Sequence, residues 1–264
     1  MSDTYRRFLY DGTYEGFLCL AVKCLNLRVF PEVTYIDDGS FEYMDFDICR
    51  IRTDADIAFR MHRLLGERAC AQTQQIVMDG FLTAMPDREK ALINLIGKSL
   101  KYGAVVADDY EDQAMRRIHT AILDLYREEQ TCFVTLETTR YKETDLAVIN
   151  PRNMILPVMK KDIVRKTGFE NLLIYDRRHS MVLYKNDESD DIVDIRRLGK
   201  TPASDIRDLY ESLWQYLTSG RHLTGAGSRR RRSDDPDRMW YIAVGASHML
   251  YLMANKSLRN PVDV

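Results

Sequence analysis

Long apolar runs are missing from this chain of 264 residues, and none approaches the length that crosses a bilayer. The start, MSDTYRRFLY, lacks the apolar stretch of a secretory signal, so a cytoplasmic location is expected, with no membrane as partner. A disulfide framework is missing too. The five cysteines (Cys19, Cys24, Cys49, Cys70, Cys132) are scattered without a C-x-x-C pair, and their odd number points to reduced, mostly buried thiols. The tight three-cysteine cluster of a radical-SAM iron–sulfur site is absent. There is no P-loop, G-x-G-x-x-G, G-x-S-x-G or H-E-x-x-H. The five histidines, His62, His119, His179, His222 and His248, are too dispersed to mark a metal site, and nothing calls for a cofactor. A strong charge of one sign is also lacking. The formal net charge of -2 excludes a protein that coats nucleic acid by bulk attraction.

What is present is an ordinary globular composition, 45% hydrophobic and 30% charged, in a chain long enough to bury a sizeable core. Charge is unevenly spread. The stretch from Asp37 to Asp56 is acidic, Arg140 to Lys185 leans basic, and Arg229 to Arg232 is an uninterrupted basic run. A local positive face on a near-neutral protein fits nucleic-acid binding at a shaped site, and fits plain surface charge equally well.

Along the chain, Arg7 to Tyr10 reads as a short strand stopped by the turn dipeptide Asp11-Gly12. Thr13 then caps a helix whose face carries Phe17, Leu20, Ala21 and Cys24. A strand is expected over residues 45 to 52. Thr53, with Asp56 three residues on, reads as a capping box for the next helix. Helical stripes dominate to residue 129. The last of them places Met115, Ile118, Ile122 and Leu125 on one face, with the acids Asp108, Asp109, Glu111 and Asp112 at its start. From Thr131 the pattern turns strand-like at Cys132 to Leu136 and Asp145 to Ile149. A short helix at Pro157 to Lys166 follows, then strands at Leu172 to Tyr175, Met181 to Tyr184 and Ile192 to Ile195. Ile206, Leu209, Tyr210, Leu213, Tyr216 and Leu217 mark one more amphipathic helix. The expected fold is therefore α+β, a helical layer packed on an antiparallel sheet, with a C-terminal apolar helix. In this reading residues 1–218 form a single α+β domain, helical over 54–129 and sheet-rich over 131–200. Residues 219–237 form a basic linker or loop, and residues 238–264 a C-terminal helix.

The stretch from Asn150 to Tyr184 concentrates the chemistry. Two strands joined by Asp176-Arg177-Arg178-His179 form a rigid hairpin that presents its turn at one end. Two arginines and a histidine there can meet phosphate or a carboxylate. A turn is also charged simply because it is solvated, with Asp176 pairing locally with an arginine.

These residues resemble the uncharacterised bacterial "probable DNA metabolism protein" family. In that family a Pro-x-x-Asn-x-Leu-Pro type of segment precedes a strand ending in Asp-x-Arg-Arg. The corresponding residues here are Pro151, Asn153, Leu156, Pro157, Asp176, Arg177 and Arg178, spaced as Pro-x-Asn-x-x-Leu-Pro and Asp-Arg-Arg. The opening Tyr10-Asp11-Gly12-Thr13-Tyr14-Glu15-Gly16-Phe17 is similar to the family's Tyr-Asp-Gly-Ser-Phe-Glu-Gly-Phe, and the resemblance runs from about residue 8 to about residue 218. Family members are encoded beside a radical-SAM protein, and some are fused to a uracil-DNA glycosylase-like domain. The resemblance thus implies a nucleic-acid setting with DNA and a radical-SAM protein as partners. It also implies a histidine at His119 and often a second one a helical repeat later, where this chain has Tyr126; a histidine pair for metal is therefore not supported. Arg238, Met239 and Trp240 partly fit the family's terminal Arg-aromatic-Trp segment.

The expected function is a DNA-metabolism or repair factor that binds nucleic acid as accessory to a radical-SAM partner. The candidate contacts are Arg177, Arg178, His179, Lys160, Lys161, Arg229, Arg230, Arg238 and Trp240, cations for phosphate and flat groups for bases. The alternatives are an enzyme acting on a nucleobase or a phosphodiester, for which Asp11 and His119 are the catalytic candidates, and a non-catalytic scaffold. The scaffold would use its C-terminal apolar helix to form a homo-oligomer or join a partner.

Overall fold

The computed structural model describes residues 6–37, 48–166, 168–186, 190–195 and 205–218. The fold is α+β, and the chain packs as two compact units, residues 1–125 and 126–264.

In the first unit, β1 (Arg7–Tyr10) lies between β2 (Val33–Ile36) and β3 (Ile48–Arg50), parallel to both. Phe8, Leu9 and Tyr10 are buried, as expected of a central strand covered on both faces. Gly12, at φ 73°, makes the turn out of β1. Thr13 then caps α1 (Tyr14–Leu27), its Oγ1 accepting from the Gly16 N–H at 2.9 Å. The cap of α2 (Ala55–Arg68) is Asp54 rather than Thr53. Its carboxylate accepts from the N–H groups of Asp56 and Ile57 at 2.9 and 3.0 Å, while the Thr53 hydroxyl is turned inward and buried. Adjacent Thr and Asp offer two candidate caps, and the backbone angle at Asp54 decides between them.

Helices α3 (Ala71–Leu82), α4 (Arg88–Tyr102) and α5 (Gln113–Val134) follow, with a 3-10 turn over Gly103–Asp108. Phe17, Leu18, Leu65, Ile76, Leu92, Ile96, Ile118 and Ile122 are buried, so the apolar stripes read from the sequence are core. Asp112 starts α5, accepting from the Ala114 N–H at 2.7 Å and pairing with Lys98. The strand expected at Cys132 to Leu136 is instead the end of α5 and the residues after it. The β-branched residues there are held helically, Thr131 and Thr135 donating their hydroxyls to the carbonyls of Arg127 and Thr131, four residues back, at 2.8 and 2.9 Å.

The second unit holds a five-stranded sheet of β4 (Thr139–Tyr141), β5 (Thr144–Ile149), β6 (Leu172–Asp176), β7 (Met181–Lys185) and β8 (Asp190–Asp194), in that order. The sheet is mixed, not antiparallel. β5 and β6 run parallel, Asp145 opposite Leu172 and Ile149 opposite Asp176, because α6 (Leu156–Lys166) carries the chain back between them. The other three pairings are antiparallel, including the expected hairpin of β6 and β7. Helix α7 (Ile206–Thr218) closes one face, where Leu209, Tyr210 and Leu213 pack with Leu146, Leu173, Tyr175 and Tyr184. Helix α6 packs against β7 and β8. Every residue of β6 is buried. No helix among the described residues is long and apolar enough to cross a membrane. The linker expected over 219–237 and the apolar helix expected over 238–264 lie outside the described residues.

Candidate functional site

Asp176 ends β6 and is fully buried. Its Oδ1 accepts from the backbone N–H groups of Arg178 and His179 at 3.0 and 3.1 Å, and its Oδ2 pairs with His179 Nδ1 at 2.6 Å. An aspartate that accepts from the amides two and three residues on locks a turn in the way that Asx residues do. The turn Arg177–Ser180 closes at Ser180, φ 56°, whose carbonyl accepts from the Ile195 N–H at 2.9 Å. The carboxylate acts as acceptor throughout, so the pairing places a proton on His179 Nδ1 and leaves Nε2 to other partners. Neither arginine is the counterion of Asp176. Arg177 and Arg178 are exposed at the end of the hairpin, and the Arg178 guanidinium forms no ion pair with a described residue.

A second segment leaves the sheet beside this turn. Ile149 ends β5 opposite Asp176, and the Arg177 N–H continues the ladder onto the Ile149 carbonyl at 3.0 Å. The chain then passes through Pro151, Arg152 and Asn153, where it is clamped by Glu128 from α5. One carboxylate oxygen accepts from the Arg152 N–H at 2.6 Å. The other accepts from the Asn153 N–H at 2.8 Å and from Asn153 Nδ2 at 2.6 Å. The residues from Pro151 to Asn153 and from Asp176 to His179 are therefore neighbours at the C-terminal ends of two parallel strands, with Arg152 also exposed. Open sheets gather ligand-binding loops at that end of parallel strands. The Cys132 thiol lies close by. Burial and then the carboxylates of Glu128, Asp176 and Glu129 push its pKa up, which suits an inert thiol rather than a nucleophile.

Sequence reasoning missed the two glutamates. Glu129 is 2% exposed and falls four residues after Leu125, on the apolar stripe of α5. An acid at a core position was the readable signal. Glu128 offered none, since its partners, two backbone N–H groups and the Asn153 side-chain amide, are 24 and 25 residues away.

The remaining candidates lie on other elements or are already engaged. Lys160 points at β8, donating to the Asp190 carbonyl at 3.0 Å and pairing with its carboxylate at 3.3 Å. Lys161 is on α6. Asp11 belongs to the first unit, where its Oδ1 accepts from the Thr13 N–H at 3.0 Å and from the Thr13 hydroxyl at 2.7 Å. His119, also there, is buried, its Nε2 3.3 Å from the Ala107 carbonyl and its ring stacked on Tyr110 with centroids 5.0 Å apart. Among the described residues no three His, Cys, Asp or Glu side chains converge as a metal set. Arg229, Arg230, Arg238 and Trp240 lie outside the described residues.

No curated protein matches the chain. A family match runs from Pro86 to Trp240, so it contains α4, α5, the whole five-stranded sheet and both segments of the candidate site, and excludes the opening Tyr10 to Phe17 motif. It spans more than half of the 264 residues, and on it the chain belongs to the uncharacterised family described as domain of unknown function DUF4130.

Proposed function

We propose that this chain is a DNA-metabolism factor that binds nucleic acid through the Asp176–His179 turn. The observation that carries the reading is the saturation of Asp176 by two backbone N–H groups and His179, which leaves the guanidinium of Arg178 exposed instead of spent on that carboxylate. Arg177 and Arg152, exposed on the same sheet end, add positive charge, and a guanidinium on a rigid turn meets a phosphate with little ordering cost. A few such contacts bind at a shaped site without a strongly basic protein. The radical-SAM partner rests on the resemblance to the DNA-metabolism family, and recovery of such a protein with the tagged full-length chain from its own cells tests it.

The binding reading is tested by fluorescence anisotropy with labelled DNA over a range of salt. Changing Arg177 and Arg178 together to Ala should weaken binding and flatten the salt slope by about one to two phosphate contacts' worth. The fold should survive, because exposed turn positions seldom cost more than about 0.5 kcal/mol. Unchanged affinity at low salt would remove the turn from the interface.

The Asp176–His179 pair favours a second reading, an enzyme acting on a phosphodiester. A buried carboxylate holding one imidazole nitrogen leaves the other placed for proton transfer. In that case His179→Gln should abolish turnover while DNA affinity stays within about twofold of the parent chain.

A further inference from the structure

We infer that the first unit carries a separate pocket for a single unstacked nucleotide of a nucleic-acid strand. A cavity of about 300 Å³ lies between the first turns of α4 and α5, with Phe30 at its side. That volume is at the small end of ligand sites, suited to one base with its sugar and phosphate and far too small for a duplex.

The lining supplies each kind of group that such a ligand needs. Phe30 is 50% exposed, an aromatic face left to solvent beside a cavity. A base stacks on such a face whatever its identity. Lys90 of α4 and Arg117 of α5 bring two cations from different helices. Neither forms an ion pair with a described residue, and Arg117 reaches the Pro86 carbonyl only at 3.5 Å, the limit of a hydrogen bond. Asn94, one turn after Lys90 on the same face of α4, adds an amide that can donate to and accept from a base edge. Ala91 and Ala114 complete the lining with small side chains. Asp87 also lines the cavity, so the balance is one negative group against two positive ones. A simple anion would use the cations and leave the ring and the amide idle. A nucleotide engages all of them.

The inference rests on the nucleic-acid reading of the chain and adds the form of nucleic acid: single-stranded, or with one base turned out of its stack. The probe is a single-stranded oligonucleotide containing 2-aminopurine, titrated with the full-length chain. Stacking on Phe30 should quench the probe. Phe30→Ala should restore its fluorescence and weaken binding about tenfold, the size of one base–aromatic stack, while Phe30→Trp should keep both. Lys90→Ala with Arg117→Ala should lower the salt slope by about one to two. Thermal melting checks the fold of each variant. If Phe30→Ala melts early, Phe30→Leu, which keeps apolar bulk and loses the ring, carries the test.

The comparison variant is Arg177→Ala with Arg178→Ala. If it loses the oligonucleotide while the Phe30 variants change neither affinity nor fluorescence, the pocket is overturned and the turn stands. If the pocket variants lose binding and the turn variant does not, the pocket stands and the turn falls. Equal competition by poly-glutamate, which has charge but no flat group, would reduce the site to a cation patch and overturn the inference.

Discussion

Gly16 shows how one missing side chain can hold a motif together. It is the third residue of α1, and a Cβ there would stand 2.1 Å from Asp11 Oδ1 and 2.9 Å from Thr53 Oγ1. Asp11 has little freedom to move aside, because the same oxygen accepts from both the amide and the hydroxyl of Thr13. Helix propensity alone would favour alanine over glycine by about 1 kcal/mol. The collision reverses the sign, so Gly16→Ala should destabilise the chain by about 2 kcal/mol, within the usual range for overpacking. Chemical denaturation measures this directly, and a gain in stability would mean that the Asp11 turn is loose. The opening motif is thus accounted for residue by residue as structure. Gly12 makes the turn, Asp11 and Thr13 cap it, Gly16 admits the cap, and Phe17 is buried against Phe81 with ring centroids 5.3 Å apart.

At the scale of elements, β1 and α4 are tied by a buried polar cluster that no motif announces. The Tyr10 hydroxyl donates to Glu89 Oε1 at 2.8 Å, and Arg88 Nε donates to the same oxygen at 3.0 Å. Arg88 also donates to the carbonyls of Phe81 and Thr83 at 2.7 and 2.9 Å and lies 4.7 Å over the Phe81 ring. Burial alone would raise the Glu89 carboxyl, but the Arg88 charge and hydrogen bond outweigh it and hold the pKa below the ordinary value. Burial, then Glu89, pushes the Tyr10 hydroxyl the other way, above its usual range. A carboxyl whose pKa is depressed on folding adds stability above its unfolded value, about 4.3, and loses it as pH falls through the lower folded value. Acid unfolding should therefore steepen below about pH 4. Glu89→Gln should remove that part of the pH dependence and cost about 3 kcal/mol at neutral pH, since it leaves the Arg88 charge buried with only carbonyl acceptors. Denaturant melts of both chains at several pH values check the two statements together. Parallel pH curves would mean that Glu89 is not part of the acid transition.

At the scale of the whole molecule, the thiols set its redox behaviour. All the cysteines are free, with Cys19 and Cys24 buried and Cys49, Cys70 and Cys132 partly so. Burial, with a smaller part from Cys49, pushes the Cys24 thiol up to about 12, which leaves almost no thiolate at neutral pH. The melting temperature should be the same with and without reductant. Iodoacetamide at about pH 7.5 should spare Cys24 in the folded chain and modify it in guanidinium, as read by mass spectrometry. Rapid labelling of the native chain would mean that the α1 core opens.

Much of this fold was legible without a structure. The Thr13 cap, the core stripes of α4 and α5, the hairpin of β6 and β7 and the α7 face all follow from spacings of two to four residues, because cap geometry and periodicity are local. The Asp176 to His179 turn could be located in the same way. Other features needed the folded chain. Cys132 is helical because α5 continues through it, and β5 runs parallel to β6 because α6 returns the chain to the same edge. Asp176 takes amides and an imidazole rather than an arginine, Lys160 is committed to Asp190, and Glu128 grips a loop from another element. In each case several donors compete for one acceptor, or several directions for one strand, and only packing of residues distant in the chain makes the choice.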